Sequence, residues 1–176
     1  MSSAMRATSS PYKSGEAGGE GATIEYAISA LGIPSIVVCG HSQCGAMKGF
    51  LHPEAVNEMP LVADWLHRAE EAGRKVSAHS HPHSNDSTDT SLSAAAREEE
   101  DLLSYTVEQN VLVQMENLRT YPTVAAALAQ NKIQIYGWVY HLGSGEVDAY
   151  DPAEARFVSL ATLDSQPESN DSLSAL

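Results

Sequence analysis

Apolar residues change their spacing several times along the chain, and each change marks a different element. Ile24, Ala27, Ile28 and Leu31 recur at i, i+3, i+4 and i+7, the stripe of an amphipathic helix that starts near Thr23. Gly32 follows as a left-handed cap, and Pro34 keeps the helix from resuming. The run from Ile33 to Cys39 is then almost continuously apolar, as in a strand buried on both faces of a parallel sheet. Gly40 and Gly45 frame a tight loop, and Ala46 to Leu51 begins another short helix. Leu61 to Ala72 has helical composition and stops at Gly73.

The longest helix is expected from Arg97 to about Leu118. Val107, Val111, Met115 and Leu118 form its core stripe, and Glu98, Glu99, Glu100 and Asp101 fall in its first turn, where the helix dipole favours negative charge. Pro122 opens a further helix through Ala129. From Ile133 to His141 the period becomes two, with Ile133, Ile135, Gly137 and Val139 on one face. Gly143-Ser144-Gly145 turns that strand back into Glu146 to Tyr150 as a hairpin.

Three segments lack such patterning. Residues 1–22 are rich in Ser and Gly and read as an unstructured or truncated N-terminal segment. Residues 77–96 hold six serines and three histidines, too little apolar surface to offset the entropy of ordering, and are expected to form a mobile loop. Residues 165–176 read as a polar tail, which leaves 23–164 as one domain. The element order predicts an α/β fold, a mostly parallel central sheet flanked by helices with a C-terminal hairpin. No strand is expected ahead of the first helix to complete a βαβ unit.

Composition narrows the function. With 23 acidic and 10 basic residues the net charge is −13, which argues against a surface for nucleic acid or anionic membrane. No apolar run approaches the length of a transmembrane helix, and Met1 to Ser14 lacks the apolar core of a secretory signal, so the compartment is read as cytoplasmic. Two cysteines, Cys39 and Cys44, are too few for a disulfide scaffold.

The densest chemistry is Cys39-Gly40-His41-Ser42-Gln43-Cys44-Gly45. Imidazole and thiolate are preferred zinc ligands, and a loop held by a buried strand can aim His41 and Cys44 at one point. The spacing alone fits equally a packed cysteine beside a hydrogen-bonded histidine, or a thiol nucleophile with its base. His79, His81 and His83 share a face in extended backbone and could chelate a metal, although a Ser-rich setting suits a solvated loop. Gly15 to Gly21 precedes a helix, yet lacks the Lys and Ser/Thr of a phosphate-binding loop.

Val37 to Ala46 closely resembles the second metal-binding motif of β-class carbonic anhydrases. The likeness runs from residue 11 to about 160, through Pro11-Tyr12, Gly21 to Ala27, Asp64-Trp65, the Glu-rich helix, Asn117-Leu118, Thr120-Tyr121-Pro122 and the closing hairpin with Gly137 and Tyr140. It implies a zinc enzyme that interconverts carbon dioxide and bicarbonate, with His41 and Cys44 as metal ligands and Cys39 at a structural position. It also implies assembly as a homo-oligomer. Zinc lowers the pKa of its bound water to about 7, which makes the hydration possible near neutral pH.

The family carries an earlier Cys-x-Asp-x-Arg motif, which supplies a third ligand and an Asp–Arg pair. No cysteine here precedes Cys39, no aspartate precedes Asp64, and Arg6 is the only early arginine. The chain therefore reads as N-terminally truncated relative to the family, lacking the family's first strand. It is expected to be catalytically impaired and prone to self-association, or else to serve as a non-catalytic scaffold.

Overall fold

A computed structural model of the chain describes residues 3–5, 19–66 and 92–163. Its elements are β1 (Ser3–Met5), α1 (Gly19–Ser29), β2 (Ser35–His41), α2 (Gly45–Leu51), a 3-10 turn (Pro53–Val56), α3 (Pro60–Leu66), α4 (Leu92–Arg119), α5 (Pro122–Ala129), β3 (Gln134–Tyr140), β4 (Val147–Asp151), β5 (Arg156–Ser159) and α6 (Leu160–Leu163). The strands form one sheet in chain order, β1-β2-β3-β4-β5. The first three run parallel, and β4 and β5 each pair antiparallel with the strand before, so the α/β class with a parallel β1-β2-β3 portion and a C-terminal hairpin is as expected.

Strand β2, between β1 and β3, is buried on both faces, with Ile36, Val37 and Val38 at 2%, 6% and 1% exposure. Helix α4 lies across β2 and β3, α2 packs on α4, and α1 packs on α5. The expected stripe of Val107, Val111, Met115 and Leu118 is buried throughout and forms one core cluster with Ile36, Val38, Ile133 and Val139. Two glycines permit the close approach of α4. A Cβ on Gly40 would lie 2.8 Å from Val107 Cγ1 and 2.9 Å from Val111 Cγ2. A Cβ on Gly137 would lie 2.6 Å from Met115 Sδ and 3.0 Å from Val111 Cγ1.

Several expectations need correction. Residues 1–22 are not wholly without structure: Ser3–Met5 pairs in parallel with β2, Ala4 opposite Val37, on the edge expected to be open. Backbone pairing needs no apolar pattern, because the edge N–H and C=O groups of β2 seek partners whatever side chains the neighbour carries. Helix α1 starts at Gly19 rather than Thr23 and ends at Ser29, so Leu31 lies past the helix and is 59% exposed. Gly32, with φ +59°, makes the expected left-handed turn.

Helix α4 begins at Leu92, inside the segment expected to be a loop, which moves Glu98 to Asp101 out of its first turn. Its interior also carries a buried polar ladder. Gln114 Nε2 donates to Asn110 Oδ1 at 3.0 Å, and Asn117 Nδ2 donates to Gln114 Oε1 at 3.3 Å. Strand β5 extends the hairpin by a third antiparallel strand that no alternation had announced. The remainder of the 77–96 loop, the end of the helix expected over 61–72 and the 165–176 tail lie outside the described residues. Among the described residues, no helix is long and apolar enough to cross a membrane.

Glu108 sits on α4, half-buried toward the hairpin. Burial raises its pKa above the ordinary carboxylate value, the charge of Asp148 raises it further, and His141 opposes both. The fold therefore holds the proton on Glu108 more tightly than the unfolded chain does. This contribution favours folding below the ordinary carboxylate range and is lost as pH rises through the raised value.

Two predictions follow from this packing. Gly40→Ala should cost about 1–3 kcal/mol by overpacking against Val107 and Val111, read as a lower urea midpoint at unchanged m-value. Glu108→Gln should raise the melting temperature at neutral pH, and thermal melts should show that gain shrinking as pH falls through the raised value and gone below the ordinary carboxylate range.

Candidate metal centre

The strand that carries the site is fixed before the site begins. Because Gly40 has no side chain, β2 runs beneath α4 without being pushed off it, and His41 emerges at the strand's C-terminal end. In open α/β sheets this end is where ligands are bound. His41 pairs in register with Tyr140 on β3 and is exposed. Ser42 and Gln43 form the turn that follows. Cys44 is the N-cap residue of α2, half-buried, and its carbonyl accepts the Lys48 amide at 2.9 Å. His41 and Cys44 thus stand at the two ends of one tight connection.

That connection is strained and strapped. Gln43 has φ 56°, in the left-handed region that costs a non-glycine residue about 1–3 kcal/mol unless its surroundings enforce it. The strap is Ser42. Its amide donates to Tyr140 O at 2.9 Å, which extends the β2–β3 ladder by one residue, and its Oγ accepts the Leu142 amide at 2.9 Å. Its carbonyl oxygen meets His41 Nδ1 at 2.9 Å. A carbonyl oxygen only accepts, so Nδ1 carries the hydrogen, and a neutral ring is left with its lone pair on Nε2.

Cys39 differs from Cys44. It is half-buried within β2, its thiol donates to Gly40 O at 3.3 Å, and burial pushes its pKa up despite a backbone hydrogen bond at Tyr140 that pulls it down. The thiolate is the form that binds metal, so burial makes Cys39 a poorer donor than an ordinary cysteine.

The donor set fits zinc in kind and falls short in number. A catalytic zinc takes three protein ligands and an open position. Among the described residues, no group of three or more His, Cys, Asp or Glu is arranged to hold a metal ion. His79, His81 and His83 lie outside the described residues, as do Gly15 to Gly18. Gly19 to Gly21 form the first turn of α1.

Sequence reasoning passed over the hairpin side of the site. His141 Nε2 and Asp148 Oδ2 lie 2.8 Å apart, and the 141–146 turn is closed by Gly145 N to His141 O at 2.8 Å and His141 N to Glu146 O at 2.9 Å. Leu142, whose amide Ser42 grips, leaves from this braced turn. The predicted hairpin register was the one signal that could have brought His141 and Asp148 together.

Comparison with known proteins agrees with the fold. The family model for carbonic anhydrase matches residues 7–147. A carbonic anhydrase of Pseudomonas aeruginosa is 46% identical over 144 residues, covering 82% of this chain and 59% of that protein. One of Synechococcus elongatus is 50% identical over 131 residues, covering 74% of this chain and 43% of its own length. The solved structure of the β-carbonic anhydrase CcaA superposes with a TM-score of 0.72 at 40% identity, covering 86% of this chain and 67% of that one. The chain thus spans about half the length of the curated relatives it matches. On sequence and on fold alike, the chain belongs to the carbonic anhydrase family, in its β class.

Proposed function

We propose that this chain carries the zinc-ligating turn of a β-carbonic anhydrase, with His41 and Cys44 as two of the metal's protein ligands. The reaction of the centre to which they belong is then the reversible hydration of carbon dioxide to bicarbonate. The observation that carries this reading is the placement of an imidazole and a half-buried cysteine at the two ends of one strapped turn, at the C-terminal end of the buried strand β2. That turn lies within the stretch that matches the family.

When bound, zinc supplies a Lewis acid that brings the pKa of a water to about 7. The chain's own residues supply the rest. His41 presents Nε2 because Nδ1 is engaged by Ser42 O, Cys44 offers the sulfur, and Cys39 stays protonated beside them. Two donors do not complete a catalytic site, and the Cys-x-Asp-x-Arg motif has no counterpart in this sequence. In this reading the chain alone binds zinc weakly and hydrates carbon dioxide poorly. It acts in the cytoplasm as a homo-oligomer. That no third donor joins His41 and Cys44 among the described residues equally favours a second reading, a non-catalytic scaffold that keeps the family's fold.

Equilibrium dialysis against a zinc buffer, with stopped-flow hydration on the same samples, tests both. Either His41→Ala or Cys44→Ala should weaken zinc binding by more than the roughly 10- to 100-fold that follows loss of an outer-shell partner. Hydration by the parent chain should stay close to the buffer rate. Zinc binding unchanged in both variants would contradict the ligand assignment, and fast zinc-dependent hydration by the parent chain would contradict the impairment.

A further inference from the structure

We infer that Ser42 is a positioning residue for the metal-ligand turn: by strapping that turn to the β3–β4 hairpin it sets the tautomer and direction of the His41 ring. Three bonds converge on this one residue. Its amide is tied to Tyr140 O, its hydroxyl to the Leu142 amide and its carbonyl to His41 Nδ1, each at 2.9 Å. The hydroxyl bond joins segments 100 residues apart in sequence, so it is a tertiary strap and no ordinary feature of a local turn.

The consequence is mechanical. With its amide and its side chain both held by the far segment, the Cα of Ser42 is fixed in place, and its carbonyl, aimed by the one backbone torsion left, rests against His41 Nδ1. The hydrogen remains on Nδ1 and the lone pair remains on Nε2, pointing away from the strap. Gln43 follows in the left-handed conformation, between the strapped residue and Cys44. The anchor is itself rigid. His141, the neighbour of Leu142, is paired with Asp148 on β4, and its amide and carbonyl both close the hairpin turn. Outer partners of this kind fix ring orientation at metal sites and commonly govern affinity by 10- to 100-fold, roughly what a ligand-positioning hydrogen bond contributes.

The part of this inference that concerns metal affinity rests on the reading of His41 and Cys44 as ligands, whereas the part that concerns the ring does not. The test uses the full chain with its Ser42→Ala and Ser42→Thr variants. In the metal-free protein at mildly alkaline pH, the nitrogen-15 shifts of the His41 ring report its tautomer, and amide exchange at Leu142 reports the strap. The parent should carry its hydrogen on Nδ1. Ser42→Ala should move His41 toward a mixture of tautomers and make Leu142 exchange severalfold faster, with the His52 signals unchanged as a check on folding. Ser42→Thr, which keeps the hydroxyl, should restore both.

Cobalt(II) titration, followed by thiolate charge-transfer absorption, should show Ser42→Ala binding about 10- to 100-fold more weakly than the parent and Ser42→Thr binding close to it. An unchanged His41 tautomer in Ser42→Ala overturns the inference. So does an altered tautomer with unaltered cobalt affinity. A parent chain that binds no cobalt overturns the ligand reading, and the ring measurement then still decides whether Ser42 sets His41.

Discussion

Val111 of α4 rests one methyl over Gly40 of β2 and the other over Gly137 of β3, at distances that leave no room for a Cβ on either strand. Much else in the structure depends on that contact. It lets a 28-residue helix lie directly on the two parallel strands at the middle of the sheet, so that Val107, Met115 and Leu118 close the core around it. Where helix and sheet approach this closely, the position of the strand end is set by the core and is not left to the loop. Dense packing of this kind transmits small displacements instead of absorbing them.

The candidate metal centre inherits that rigidity from one side and a second constraint from the other. Gly40 immediately precedes His41, so the last buried position of β2 and the first donor are adjacent residues. Beyond the donor, Ser42 takes the Tyr140 carbonyl and the Leu142 amide, tying the turn to the far strand and its hairpin. Core packing thus fixes where the imidazole starts, and the strap fixes how it is turned. Cys44 follows at the head of α2, whose Met47 is buried in the same core cluster. A metal site on such supports is more accurately held than one on a free loop, because its ligands do not have to be ordered at the moment of binding.

What could be read from the sequence follows from how each feature is encoded. The α4 stripe was legible because Val107, Val111, Met115 and Leu118 repeat at the helical period, and α5 because Pro122 marks its first residue. His41 and Cys44 were legible as donors by type and spacing. Strand β1 was not, since three residues of Ser-Ala-Met show no period. The start of α4 was hidden because Leu92 to Ala96, small apart from Leu92, show no apolar stripe and follow directly on a Ser-rich segment. Leu31 matched the helical period, but the helix had already ended two residues earlier. The strap from Ser42 to Leu142 was out of reach for a different reason. It joins positions that only the sheet register brings together, and nothing local to either residue announces it.

The central claim is that an imidazole and a thiolate from one strapped turn grip a common divalent ion. X-ray absorption at the zinc edge, on the zinc-loaded chain, addresses it most directly. The zinc shell should hold one sulfur at about 2.3 Å and an imidazole nitrogen at about 2.0–2.1 Å, with the sulfur lost in Cys44→Ser and retained in Cys39→Ser. A zinc shell made only of nitrogen and oxygen in the parent chain, or a sulfur that survives Cys44→Ser, would contradict it.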